Sequence, residues 1–320
     1  MRWVVCLTKR VLVIGKTSQL GQALQKWVKR SYNKPDSCHC ERSEAISQTV
    51  YDFTFVGRET LDFAHPHSIP SFFADKRFDF IINCAAYTAV DNAESEPELA
   101  DQINHLAVKQ LAETAKTNDS VLIHISTDYV FDGQQHRPYI ETDPVAPLGI
   151  YGATKLKAEQ ACLSVNAKGV IIRTSWLYSE FGNNFVKTML RRGAEGNSLN
   201  VVCDQFGSPT YASNLAKAIM AAIAGRQCVV ANKVKTVSDM SIYHYCDEGV
   251  CSWYNFATTI FEIGGVNCHV NPVTTKDYPT AARRPNDSSM SNAKIKADFS
   301  LNIPSWREAL SVCLNELKKK

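Results

Sequence analysis

The run Val11-Leu12-Val13-Ile14-Gly15-Lys16-Thr17-Ser18-Gln19-Leu20-Gly21 decides the fold. Four consecutive apolar residues, three of them β-branched, read as a strand buried on both faces, and the stretch Gln19 to Arg30 that follows has helical periodicity. A strand that ends on glycine and feeds directly into a helix opens a βα unit. The glycine permits a tight turn, and the helix N-terminus presents free N–H groups to a pyrophosphate, so a dinucleotide fits the junction. The full fingerprint has three glycines. Here Ser18 takes the middle position, where its side chain narrows the approach of a phosphate to the backbone. Taken alone, the motif reads almost as well as a plain loop of a flavodoxin-like protein.

Working outward, compact β-branched runs alternate with longer amphipathic stretches through the first two thirds of the chain. Strands are expected at Val11–Ile14, Phe53–Gly57, Phe78–Asn83, Val121–Ser126, Val170–Arg173 and Asn200–Val202. Helices are expected near Gln19–Arg30, Gln102–Thr117, Tyr151–Leu163, Asn184–Arg192 and Ala212–Ala224. This is the pattern of an α/β protein with a Rossmann-type, doubly wound parallel sheet. Residues 31–51 are too many for an ordinary αβ connection of ~2–6 residues and read as a surface insertion. After about residue 225 the alternation becomes irregular, with an aromatic helix at Trp253–Ile263 and a final amphipathic stretch Ser305–Lys318. The expected organisation is a dinucleotide-binding domain over 1–173 and a smaller, mainly substrate-binding lobe over 174–320, with segments returning to the first domain.

The 320 residues, 45% hydrophobic and 21% charged, are ordinary for a globular protein and exclude a disordered or fibrous chain. A net charge of +3, spread along the sequence apart from a short Lys318-Lys319-Lys320 tail, argues against a nucleic-acid partner. The eleven cysteines are scattered without repeated pair spacing, as expected of reduced thiols in the cytoplasm. Cys38-His39-Cys40 lacks a second ligand pair to complete a four-coordinate metal site, so no metal is expected. The apolar run Trp3–Leu7 is shorter than a signal-peptide core, and no segment reaches the ~20 apolar residues of a membrane span. A cytoplasmic protein with no membrane partner is the expectation.

The chemistry concentrates at the expected strand ends. Gly57-Arg58-Glu59 has no carboxylate at the strand tip for a ribose 2′-hydroxyl, whereas Arg58 suits a 2′-phosphate, and Asp62-Phe63 stands where adenine contacts are expected. Ala85 and Ala86, in Asn83-Cys84-Ala85-Ala86-Tyr87-Thr88, are small enough to let a cofactor lie against the backbone. The strongest signal is Tyr151-Gly152-Ala153-Thr154-Lys155 after Ser126-Thr127-Asp128. Spacing i, i+4 puts the phenol and the ammonium on one helix face, and a fixed cation favours phenolate. Lys155 is therefore expected to bring Tyr151 towards a useful range for acid–base work, while Thr127 holds a substrate oxygen.

These motifs, with Ala89-Val90-Asp91-Asn92-Ala93-Glu94, Tyr129-Val130-Phe131-Asp132-Gly133, Arg173-Thr174-Ser175-Trp176 and Asp204-Gln205-Phe206-Gly207-Ser208-Pro209-Thr210, resemble the extended short-chain dehydrogenase/reductase family. Within it they look like the reductases of dTDP-4-dehydrorhamnose, from Val11 to about Trp306. The resemblance implies NADPH, with NADH as the other cofactor. It implies a cofactor site from Gly15, Thr17, Ser18, Gln19, Leu20, Arg58, Asp62, Phe63, Ala85, Ala86, Tyr87, Thr88 and Lys155. It implies a dTDP-sugar met by Thr127, Asp128, Trp176 and Arg284, with Thr127, Tyr151 and Lys155 catalytic. The implied reaction reduces a C4 ketone in deoxysugar biosynthesis for cell-surface polysaccharide, such as the O antigen of lipopolysaccharide.

Three positions depart from the family pattern: Ser18 in the turn, Ala23 where some members place a metal-site glutamate between subunits, and Ser289 where a basic residue is expected. Monomer and homodimer both stay open. Thr127-Asp128 is followed by Tyr129, not by the glutamate that dehydratases of this group use to remove water. The other readings are an epimerase with the same Tyr-Lys pair, and a regulatory subunit of the methionine adenosyltransferase type.

Overall fold

Val11 to Ile14 are almost completely excluded from solvent. They end strand β1 (Leu7–Ile14), which lies inside a six-stranded parallel sheet of the computed structural model. The structure describes residues 7–32, 49–65, 67–196, 198–225 and 239–319. The other strands are β2 (Thr49–Val56), β3 (Phe80–Asn83), β4 (Val121–Thr127), β5 (Gly169–Thr174) and β6 (Ser241–His244), in the order β6-β5-β4-β3-β1-β2. Successive side chains of a strand point to opposite faces, and β1 shows the consequence. Val11 and Val13 join one apolar cluster with Leu20, Leu24, Leu215 and Ile219. Leu12 and Ile14 join a second with Val108, Leu111 and Ala158.

Helices α1 (Gln19–Tyr32), α2 (Ala107–Thr117), α3 (Ile150–Val165), α4 (Phe185–Glu195) and α5 (Ala212–Gly225) follow in the chain. On the sheet, α1 packs with α5 on one face and α2 with α3 on the other. A third cluster, built from Val186, Phe256, Ile260, Trp306 and Leu310, joins α4 to helices α6 (Trp253–Gly264) and α7 (Trp306–Leu317). Both late helices start with capping boxes, Ser252 with Asn255 and Ser305 with Glu308.

The sheet order turns round between β1 and β3, because the chain steps from β1 out to β2 and returns on the other side. Ligands of open α/β sheets bind at this reversal, beyond the carboxyl ends of the strands. Ile14 is level with both Val56 and Asn83, so the three strand ends align there. Gly15 follows at φ +86°, and a Cβ on it would lie 2.9 Å from the Ala85 nitrogen and the Cys84 carbonyl carbon. Only glycine lets the two strand ends approach this closely.

Some expected elements differ. The sixth sheet strand is β6, not Asn200–Val202; those residues lie in a strand Ser198–Val202 that pairs with His269–Val273 in a separate ladder. Helix α2 is preceded by a π-helical turn over Gln102–Leu106. Of the expected insertion, Ser31 and Tyr32 still belong to α1 and residues 49–51 already belong to β2. Cys38-His39-Cys40 and Met1 to Cys6 lie outside the described residues.

Candidate active site

A cavity of about 610 Å³ runs along the strand ends from the Gly15 turn to Trp253. At its first end, Ser18 has an evident structural role: its Oγ accepts the Gly21 N–H at 3.0 Å and caps α1. Gly21 is required because a Cβ there would stand 2.2 Å from the Gly15 oxygen. Replacing Ser18 by alanine is expected to cost ~1 kcal/mol in urea unfolding, the usual worth of an N-cap; unchanged stability contradicts the cap.

Thr17, Gln19, Leu20, Ala85, Ala86 and Thr88 line the cavity. Arg58 stands at its rim, 75% exposed, with Nε 3.1 Å from Asp62 Oδ2, and Phe63 lies beside it. Tyr87 is not on the wall. Its phenol donates to Glu96, while its N–H and C=O are both bonded by the Asn104 amide at 2.8 and 3.1 Å.

The middle of the cavity joins the end of β4 to the start of α3. Gly152 allows the contact, since a Cβ there would lie 2.1 Å from the Tyr129 carbonyl oxygen. Tyr151 packs edge-on against Tyr129 at 5.8 Å between ring centroids. Burial pushes the Tyr151 phenol up to about 12, opposed by a hydrogen bond with Thr127 and reinforced by the nearby Asp128 charge. At neutral pH Tyr151 therefore holds its proton. Lys155 does not bring it down as expected. Its ammonium nitrogen turns under the helix to the Ile125 carbonyl at 2.6 Å and His124 Nε2 at 3.3 Å, and burial lowers its own pKa to about 8.

Asp128 is buried, accepting from Thr127 Oγ1 at 3.0 Å and Ser288 Oγ at 2.5 Å. Burial outweighs these bonds and raises its pKa to about 6. Its charge thus costs folding stability: nothing below about pH 4, where it is protonated even unfolded, and the full amount above about pH 6. Asp128→Asn should narrow the difference in melting temperature between pH 4 and pH 8 relative to the unaltered protein. An unchanged difference rules out the raised carboxyl.

At the far end, Trp176 adopts φ +48°, unusual for a bulky residue, and stacks on Trp253 with centroids 3.5 Å apart. A Cβ on Gly207 would meet the Trp176 ring at 2.8 Å. Trp253 lines the cavity and was not among the expected site residues. Nothing in its local spacing marks it, because α6 brings it there only through packing of the third cluster. Arg284 is placed elsewhere than expected: it makes a two-pronged pair with Asp91, at 2.7 and 3.1 Å, off the cavity wall.

Comparison with known proteins bears on this geometry. Residues 9–319 match the family described as RmlD substrate binding domain. The dTDP-4-dehydrorhamnose reductase of Escherichia coli (strain K12) is 39% identical over 313 residues, covering 96% of this chain and 97% of that protein. The crystal structure of a dTDP-4-dehydrorhamnose reductase from Clostridium acetobutylicum matches with a TM-score of 0.83 at 34% identity, covering 97% of this chain and 99% of that one. That of dTDP-4-dehydrorhamnose reductase from Bacillus anthracis, in complex with NADP, matches with a TM-score of 0.83 at 35% identity, covering 97% and 100%.

Proposed function

We propose, from the premise that this chain belongs to the family of the RmlD substrate binding domain, that it reduces the C4 ketone of dTDP-4-dehydro-β-L-rhamnose with NADPH to give dTDP-L-rhamnose. The observation that carries this reading is the convergence of a proton-holding Tyr151 and the Thr127 hydroxyl in a cavity whose other end is the glycine turn.

The residues present suit the cofactor. The Gly15 turn closes against Ala85 and Cys84 and leads into the N-terminus of α1, which suits a diphosphate, and Arg58 stands at the rim for a 2′-phosphate. Asp62, Phe63, Ala85, Ala86 and Thr88 are assigned to the adenosine side, and Lys155 to the nicotinamide ribose; Tyr87, whose peptide groups are both taken by Asn104, holds this segment in place. NADPH, when bound, supplies hydride to the carbonyl carbon. Tyr151 gives its proton to the carbonyl oxygen, and Thr127, whose hydroxyl donates to Asp128 in the free site, is assigned to turn that donor to the carbonyl oxygen and orient it. Trp176, backed by Trp253, offers a flat apolar wall to the nucleotide-sugar. Arg284 is committed to Asp91 and does not meet the diphosphate.

No helix among the described residues is long and apolar enough to cross a membrane. We place the reaction in the cytoplasm, where the seven free cysteines among the described residues stay reduced.

Arg58→Ala should weaken NADPH on the order of tenfold or more, with little effect on NADH, in paired fluorescence titrations. Equal losses for both cofactors exclude the 2′-phosphate contact. The functional reading itself is tested by the product. Incubation with dTDP-4-dehydro-β-L-rhamnose and NADPH should yield dTDP-L-rhamnose by NMR; recovered ketone, or the opposite C4 configuration, overturns it.

A further inference from the structure

Tyr151 is the second residue of α3, in the turn where a helix is least secured, because the first N–H groups have no acceptor within the helix. The N-cap position before it is Gly149, which has no side chain to accept them and whose backbone is extended, at φ −146° and ψ 173°. The acceptor comes from a distant part of the chain. Glu94 Oε1 takes the Ile150 N–H at 2.8 Å, across 56 residues. Gly149 makes room for it, since a Cβ there would lie 2.6 Å from that same oxygen. Beyond Glu94 itself, the next neighbour of such a Cβ is the Arg283 carbonyl oxygen at 3.9 Å, an ordinary contact.

Glu94 is itself held in place. It closes the helical turn Val90–Ala93, which starts two residues after Thr88 on the cavity wall, and Val90 lines the cavity too. Within this turn Asp91 accepts from the Ala282 N–H at 3.0 Å and from both prongs of Arg284. Just before it, Asn104 grips both peptide groups of Tyr87. The segment assigned to the cofactor is thus anchored at two points, and its Glu94 reaches over to the residue next to Tyr151. A cap that only stabilised the fold would leave the rate of the folded enzyme untouched. Here the capped turn carries the proton donor, and a misplacement of about 1 Å in a reacting group is enough to cost on the order of 10²-fold in rate.

We propose that Glu94 is a positioning residue: by capping α3 from the cofactor-side wall, its carboxylate sets the place of the Tyr151 phenol relative to the bound cofactor. The effect on turnover rests on the assignment of Tyr151 as proton donor; the cap itself does not. What matters is an acceptor at this point, not its charge.

Steady-state kinetics and NADPH titration of three variants test this. Glu94→Ala should lower kcat about tenfold or more while NADPH affinity and the KM for the sugar stay within about threefold. Glu94→Gln keeps an acceptor oxygen without the charge and should stay within about threefold of the unaltered kcat. Glu94→Ala combined with Gly149→Ser moves the cap into the helix's own chain: loss of the carboxylate frees the space for the new side chain, whose hydroxyl can accept the Tyr151 or Gly152 N–H. This double variant should recover most of the lost kcat. An unchanged kcat in Glu94→Ala, a Gln variant as slow as the Ala variant, no recovery in the double variant, or a loss of NADPH affinity equal to the loss of kcat overturns the proposal.

Amide exchange by NMR in the cofactor-free protein separates the cap from the functional reading. The Ile150 amide should exchange about tenfold or more faster in Glu94→Ala than in the unaltered protein. Exchange that is no faster overturns the cap. Faster exchange with no turnover in the unaltered protein overturns the functional reading, and with it the effect on Tyr151, but not the cap.

Discussion

Replacing Tyr151 by phenylalanine is expected to lower kcat by about 10²- to 10⁴-fold, the usual worth of a positioned general acid. The substitution removes one oxygen and keeps the ring that packs edge-on against Tyr129. The start of α3 and the Gly152 contact with the Tyr129 backbone stay intact, so NADPH affinity should hold within a factor of about two or three, a small free-energy change. The effect falls on kcat because burial makes Tyr151 a reluctant acid at rest, which gives up its proton only as negative charge develops on the carbonyl oxygen. Equal loss of NADPH binding and turnover would mean that the phenol shapes the site and does not donate to the substrate.

Arg173→Met should be the most destabilising of these substitutions, by about 3–5 kcal/mol in urea unfolding. Arg173 and Glu159 have side chains only 3% and 1% exposed, and they meet through Nη2–Oε2 at 2.6 Å and Nε–Oε1 at 3.0 Å. Ser126 also donates to Glu159, and the guanidinium lies 5.1 Å over the Phe131 ring. Removal of the arginine strands a carboxylate in the interior, whose desolvation is no longer offset. The pair ties α3, which carries Tyr151, to β4 and β5, so the loss should reach the active site as well as the fold. Adding Glu159→Leu should recover much of the stability, because no charge is then left unpaired. A double variant as unstable as the sum of the two single ones would contradict this account.

The parts legible in the sequence are those whose environment is set locally or by periodicity. β1 shows as an unbroken apolar run because both faces are covered, and the Tyr151 to Lys155 spacing puts both on the start of α3. Ser18 is a subtler case. Beside a phosphate-loop pattern it reads as a missing glycine, whereas its position before Gln19 makes it the cap of α1.

What stays illegible depends on distant pairing. β6 is a four-residue edge strand whose identity comes from its ladder with β5, and Asn200–Val202 looks the same in sequence yet pairs elsewhere. Trp253 reaches Trp176 only because α6 packs into the third cluster. The i, i+4 spacing places Lys155 on the right face, but the turn of its nitrogen away from Tyr151 is set by the Ile125 carbonyl and His124 on another element. Arg284 likewise has its partner, Asp91, on the far side of the chain, and no spacing rule links them.

The central claim is that this cavity delivers hydride and the Tyr151 proton to the C4 ketone of a dTDP-sugar. It is tested most directly by following NADPH absorbance while dTDP-4-dehydro-β-L-rhamnose is generated in the cuvette, with Tyr151→Phe alongside. The account predicts NADPH oxidation that requires the sugar and falls by at least about a hundredfold in the variant. Absence of oxidation despite bound NADPH, or equal rates in both proteins, would contradict it.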